Sequence, residues 1–276
     1  MSTTYGMPTN PNNHIVGAFV FDVVMSNPNG DPDNGGHPRQ SPDGHGYVTP
    51  MRVKRMIRDY GKDALGWSLY VDHGVDLAEV QKNSDSDPDK IKSAYTDVRL
   101  FGGVLTQAKK GSRCRGPIQF SHARSVDPIE LENIGITRVA GKIDDEGDLK
   151  ANMGHYAVVQ YGVYVGYFTY NPIDGSKTGV TQQDLTSFFE ALVEAWGADR
   201  STQRPEVNLR ALYAMSSEGR RSIIQEQHLA ARLSIDTQQL ASSWKDVTMS
   251  FSMEGLRSGV SAHKWEGETI LEAAAK

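Results

Sequence analysis

The sequence predicts a mixed α+β domain on a β-α-β-β-α-β plan, the split ferredoxin-like arrangement shared by RNA-recognition modules. Three observations predict it. Ile15–Met25 (IVGAFVFDVVM) and Tyr156–Tyr170 (YAVVQYGVYVGYFTY) are apolar runs rich in β-branched and aromatic residues, as buried strands are. Two other segments repeat apolar residues at helical spacing. Between these elements, the remaining strand signals fall in the order strand, helix, strand, excursion, strand, helix, strand.

The elements follow in chain order. The first strand ends at Ser26-Asn27-Pro28-Asn29-Gly30, and Ser26–Val48 is rich in Gly, Pro, Asn and Asp. That composition predicts a long loop, and long loops inside domains are often functional. Thr49 is placed to cap a helix and Pro50 suits its first position. Val53, Met56, Ile57 and Tyr60 form its apolar face. Leu77–Tyr95 reads as one short helix plus loop, and Gly116–Ser125 (GPIQFSHARS) as a strand. Ser125–Gly154 reads as a protruding excursion with a short strand at Ile134–Val139. Leu185, Phe188, Phe189, Leu192, Val193 and Trp196 stripe a second helix over Val180–Gly197, with Thr181 as its cap. Leu209–Met215 reads as a strand, Thr237–Trp244 as a short helix, and Asp246–Met253 as the strand that ends the core. All 276 residues are expected in one domain, with insertions at 26–48, 65–115 and 126–155.

Composition narrows the function. No apolar run approaches the length of a membrane span, and Met1–Asn13 lacks the features of a signal peptide. A single cysteine, Cys114, fits a reducing cytoplasm. The net charge is −5, but it is unevenly spread. Arg52–Lys62 holds five cations and one anion, and Arg99–Arg124 holds six cations and no carboxylate. Acids gather at Asp85–Asp89 and Asp144–Asp148.

Enzymatic motifs are missing. Asp174-Gly175-Ser176-Lys177-Thr178 has the wrong spacing for a P-loop. Asp85, Asp87 and Asp89 begin like a calcium loop, but Lys90 and Thr96 occupy its glycine and glutamate positions. His37, His45, Asp31, Asp33 and Asp43 match no metal-ligand spacing. No cofactor is expected.

Basic residues carry the positive signal. Lys54, Arg55 and Arg58 on the polar side of the first helix can follow a row of phosphates, gaining from counterion release without reading bases. From pattern alone, the same residues more often form a solvated charged face. Lys109–Arg115 (KKGSRCR) pairs cations with small residues that let a phosphate approach. Met153, beside Gly154, is an apolar residue able to wedge between bases or to pack on its own hairpin.

Several segments, in order, resemble one family. SNPNGDPDNGG with its following PR, then TPMRVKRMIRDY, DVRLFGG, GPIQFSHARSVDPI and ITRVAG are similar to the crRNA-binding backbone subunits of type I CRISPR Cascade, the Cas-seven family. Type I-C is the nearest branch and I-B the second. The resemblance implies a right-hand shape: a ferredoxin-like, RRM-like palm with a finger loop (26–48), a middle insertion (65–115) and a thumb (126–155). It implies a non-catalytic protein that polymerises along crRNA as a helical filament of its own copies. Guide bases would be displayed to target DNA, beside other Cascade subunits and a recruited helicase-nuclease. RNA contacts are then expected at Asn27, Arg39, Thr49, Arg52, Lys54, Arg55, Arg58, Arg113, Arg115, Gln119 and Arg124. Ile136, Arg138 and Met153 are expected to prop a flipped nucleotide. Two alternatives stay open: a type III-like ribonuclease using Asp31 or Asp33 with a divalent metal, and a monomeric RNA-binding module.

Overall fold

The computed structural model describes residues 6–84, 86–105, 112–137, 142–143, 149–150, 153–221, 223–238 and 240–266. Strand β1 (His14–Ser26) leads through a 3-10 turn (Pro32–Asn34) and β2 (His45–Val48) into helix α1 (Pro50–Leu65). Helices α2 (Leu77–Asn83), α3 (Pro88–Ala94) and α4 (Thr96–Phe101) follow, then strands β3 (Gly102–Leu105) and β4 (Ser112–Arg115). Next come β5 (Ile118–Phe120), β6 (Ala123–Pro128), β7 (Leu131–Thr137), β8 (Lys142–Ile143), β9 (Leu149–Lys150) and the long β10 (Met153–Tyr170). The chain continues with α5 (Pro172–Thr178), α6 (Gln182–Ala198), β11 (Glu206–Ser217), α7 (Glu226–Ala230), β12 (Leu233–Asp236), β13 (Thr248–Phe251) and β14 (Val260–Glu266).

These elements build an α+β fold around an antiparallel sheet in the order β14-β11-β1-β10-β6-β2, with β5 and β7 also paired to β10. The sequence of β1 explains its central place. Ile15, Phe19, Phe21 and Val23 enter the core beneath α1 and α6, while Val16, Ala18 and Val20 enter a second core on the opposite face. A strand buried on both faces must be apolar at nearly every position. Two glycines on β1 and β10 face phenylalanines across the pair, Gly17 opposite Phe168 and Gly166 opposite Phe19. A Cβ on Gly17 would lie 2.1 Å from the Phe168 ring, and one on Gly166 would lie 2.2 Å from the Phe19 ring. Each ring therefore lies across the bare backbone of its partner strand, where a side chain would exclude it.

Both long helices pack on the same sheet face. Thr49 caps α1, its Oγ1 accepting from Arg52 N at 3.3 Å, and Gly66 ends it in the left-handed conformation. Thr181 and Asp184 form a reciprocal cap on α6. Phe188, Phe189 and Trp196 of α6 then meet Phe19, Phe21 and Phe168 of the sheet as tilted or edge-on rings.

The structure corrects several readings. Leu77–Tyr95 forms two short helices, each capped by an aspartate, Asp76 and Asp87. Gly116–Ser125 is two strands, because Ser121 and His122 break the run and Ser121 N turns to donate to Tyr167 O at 2.9 Å. The strand expected at Ile134–Val139 runs instead over Leu131–Thr137 and pairs with the start of β10. Thr237–Trp244 is not a helix; only Trp244–Asp246 makes a 3-10 turn, fastened when Asp246 accepts from Ser242 and Ser243. The strand at Asp246–Met253 exists as β13, but it pairs with β12 in a separate ribbon. The sheet ends on β14, which the alternating polar sequence VSAHKWE concealed.

Candidate nucleic-acid interface

The expected phosphate-contacting residues fall into three groups. The first surrounds the start of α1. Asn29 Oδ1 accepts from both the backbone N and Oγ1 of Thr49 at 2.9 Å, so the 26–48 loop is tied to the helix cap. Buried Asn27 donates its side-chain amide to Gly36 O at 2.7 Å and its backbone N–H to Gln203 O at 2.6 Å. Arg52 pairs with Asp199 and donates to Pro28 O, while Arg39 pairs with Asp31 at 3.2 Å. These residues hold the loop in shape, and most of their polar atoms are engaged within the chain.

The second group lies one turn further along α1. Arg58 donates Nε to Asp97 at 2.9 Å. Asp97 is fully buried and also accepts from Tyr70 N at 2.8 Å and Val71 N at 3.1 Å. Arg55 pairs with Asp59 and lies 3.8 Å from Asp72. Lys54 differs from both. Its Nζ stands 3.4 Å from Gln119 Oε1 and 5.5 Å from the centre of the Phe101 ring, over which Arg58 also lies, at 5.0 Å. No carboxylate among the described residues pairs with it. Burial, and after it the charge of Arg58, pushes the Lys54 ammonium down to about 8.

The third group continues from Gln119, whose amide donates to Gly116 O at 2.8 Å. Gly116 abuts Gly102 so closely that a Cβ on Gly116 would lie 2.0 Å from Phe101 C. Gly102 itself has φ +76. Gly102 and Gly116 are thus required where the end of α4 crosses the end of β4. The crossing sets Arg115 beside Gly116, and β4 places Arg113 two residues away on the same strand face. Both are exposed.

Arg124 stands apart on β6, paired with Asp43. Ser41, and after it Arg124, holds the Asp43 carboxyl down at about 2. Ile136 is exposed on β7 opposite Gly154, and Met153 begins β10 opposite Thr137. Arg138, Lys109 and Lys110 lie outside the described residues. Asp31 accepts from Asp33 N as the cap of the 3-10 turn. Among the described residues no cluster of three or more His, Cys, Asp or Glu could hold a metal, and no helix is long and apolar enough to cross a membrane.

Phe101 is buried, and only the tertiary structure brings Lys54 and Arg58 over its ring. Lys177 and Lys92, which the fold brings beside Arg115, are not among the expected contacts. Lys177 lies in the segment DGSKT, whose spacing matches no known phosphate motif.

Fold and site define a mixed α+β protein that presents a half-buried lysine, with no paired carboxylate among the described residues, beside exposed arginines on a strand adjoining an antiparallel sheet. The chain belongs to the family of CRISPR-associated protein Cas7, whose family model matches residues 13–252. A protein of Haloferax volcanii named CRISPR-associated protein Cas7 is 29% identical over 146 residues. That match spans 41% of this chain and 43% of the relative's length, less than half of either. Among solved structures, the chain resembles one in "CRISPR RNA-guided surveillance complex, pre-nicking", with a TM-score of 0.50, 16% identity, and coverage of 73% of this chain and 78% of that one. It also resembles one in the "Type III-B Cmr-beta bound to cognate target RNA", with a TM-score of 0.44, 13% identity, and coverage of 73% and 61%.

Proposed function

We propose that this protein is the non-catalytic, guide-holding backbone subunit of a type I CRISPR Cascade. The antiparallel sheet with two helices on one face serves as a ferredoxin-like palm. Residues 26–48 act as the finger loop, 65–115 as a middle insertion, and 126–155 as the thumb. Copies of the chain line up along one crRNA in a helical filament, each gripping backbone phosphates and leaving bases free for target DNA. Other Cascade subunits complete the assembly, and a recruited helicase-nuclease does the cutting.

One observation carries this reading. In a chain of the Cas7 family, Lys54 is a half-buried cation that no carboxylate among the described residues pairs with, bonded to Gln119 on an edge that continues to Arg115 and Arg113. A phosphate fits there by charge and makes no demand on base identity. Arg52, Arg55 and Arg58 support the edge by fixing the helix to its surroundings, and reach the nucleic acid less directly. The ribonuclease alternative would require Asp31 to leave both its cap and Arg39.

The test is to purify the protein with its nucleic acid and image it by negative-stain electron microscopy. RNA of mixed sequence in helical arrays is the expected result. A monodisperse monomer with no affinity for RNA at about 0.1 M salt overturns the proposal.

A further inference from the structure

A second cationic site lies beyond the α1 edge. Helix α3, strand β4 and helix α5 enclose an open cavity of about 360 Å³, lined among others by Lys92, Arg113, Arg115, Asp174 and Lys177. A neighbouring hollow of about 260 Å³ shares Lys92 and Lys177. Asp174 organises the wall. Its two oxygens receive different cations, Oδ1 taking Lys177 Nζ at 3.2 Å and Oδ2 taking Arg115 Nε at 3.4 Å. The Asp174 side chain is 10% exposed, while those of Lys177 and Arg115 are 69% and 77% exposed. One recessed carboxylate therefore steers two cations whose remaining N–H donors face outward. Lys92 joins them by donating to Lys177 O at 3.1 Å, and its charge is met by Asp89 at 2.6 Å. Arg113 is exposed on the same strand face as Arg115.

The charges do not balance. Lys92, Arg113, Arg115 and Lys177 face Asp174 and Asp89, so among the described residues the cavity keeps an excess of positive charge. This occurs in a chain whose net charge is −5. Such an excess in a concave site focuses potential outward and draws anions. The guanidinium of Arg115, held at its Nε, leaves its other donors in the fork geometry that matches two oxygens of a phosphate. The position favours nucleic acid over an isolated anion, because Arg115 adjoins Gly116, which holds Gln119 against Lys54.

We propose that this cavity is a second nucleic-acid phosphate site, in which Lys177 and Lys92 act with Arg113 and Arg115 on a backbone phosphodiester. The proposal rests on the guide-holding reading and extends it from α1 to α5. The phosphodiester belongs either to the guide beyond its contact with Lys54 or to the strand that pairs with it.

The experiment uses the full chain and fluorescence anisotropy with a labelled single-stranded RNA, then with a labelled complementary DNA added to RNA-loaded protein. Lys177→Gln is the main variant, since its exposed side chain can be changed without opening the core; Lys177→Arg is the charge-preserving control. If the guide occupies the cavity, Lys177→Gln lowers RNA affinity about fivefold at 0.1 M salt and reduces the salt slope by about 0.7, and Lys177→Arg restores both. If the paired strand occupies it, RNA binding stays unchanged and DNA capture falls by a similar factor. A second readout needs no variant: bound nucleic acid slows alkylation of Cys114, which lines the cavity and is the chain's single cysteine. Unchanged binding of both strands by Lys177→Gln, with Cys114 alkylated equally fast when bound, overturns the proposal. So does a variant that loses only self-association, which would make the cavity a contact for an acidic face of another copy. In both cases wild-type RNA binding, weakened by Lys54→Met, leaves the guide-holding reading standing; its absence in the wild type would remove both.

Discussion

Lys54 gives the sharpest prediction because its environment differs between the free and the bound protein. In the free protein, burial and Arg58 hold its ammonium at about 8, below the ordinary 10.5. A phosphate placed against it returns the value toward 10.5. Between those values the complex binds a proton that the free protein has lost, so affinity falls as pH rises. If the ordinary value is fully regained, the linkage gives a loss of about twentyfold between about pH 7.5 and 9.5. The assay is anisotropy with a short labelled RNA across this range at constant ionic strength. Lys54→Arg should bind with a flat profile, because guanidinium keeps its proton throughout. Lys54→Met should bind weakly and also without pH dependence. A wild-type pH profile that survives unchanged in Lys54→Met refutes the reasoning, since the titrating group would then lie elsewhere. The same residue affects stability in the opposite direction. With its folded value below its unfolded one, the folded protein sheds the proton first, so stability increases from about pH 8 to 10.5 and Lys54→Met removes that increase.

Other outcomes follow from the same geometry. Arg58→Met should cost roughly 3–5 kcal/mol in urea unfolding without RNA, because it strands the buried Asp97 carboxylate; a loss below about 1 kcal/mol would contradict that buried pairing. Gly116→Ala should lower the melting temperature sharply, since its Cβ meets the Phe101 backbone with no flexible atom able to yield; a soluble variant with unchanged melting would contradict the crossing at that point. Asp31→Ala should cost about 1 kcal/mol through the lost 3-10 cap and leave RNA affinity within about twofold. Metal-dependent RNA cleavage by the wild type that disappears in this variant would favour the ribonuclease reading.

How much of this was legible beforehand depends on how local the signal is. Thr49-Pro50 and Thr181 mark their helices through capping chemistry that acts within one turn, so the starts of α1 and α6 were readable from a few letters. The β1 run is apolar at both parities, which anticipates a central strand. The 77–95 segment misled because its helices are set by Asp76 and Asp87 caps inside a polar composition. Strand β14 escaped because an edge strand packs only one face and its backbone partner, β11, is more than forty residues away.

The amino-acid sequence by itself determined the family, the two capped helices, the central strand and the uneven distribution of charge. Those properties depend on neighbours along the chain or on motifs read in order. It could not decide which cations remain available. Arg52, Arg55 and Arg58 look alike in the row TPMRVKRMIR, yet they meet Asp199, Asp59 and Asp97, and Lys54 between them meets Gln119 and an aromatic ring. Neutralisation of a charge depends on distance in space, falling off over a few ångströms in a medium of position-dependent dielectric. Asp97 and Asp199 lie far from Arg58 and Arg52 along the chain and beside them once the sheet has folded, so only the tertiary structure could separate the carboxylate-paired cations from Lys54, which no carboxylate among the described residues pairs with.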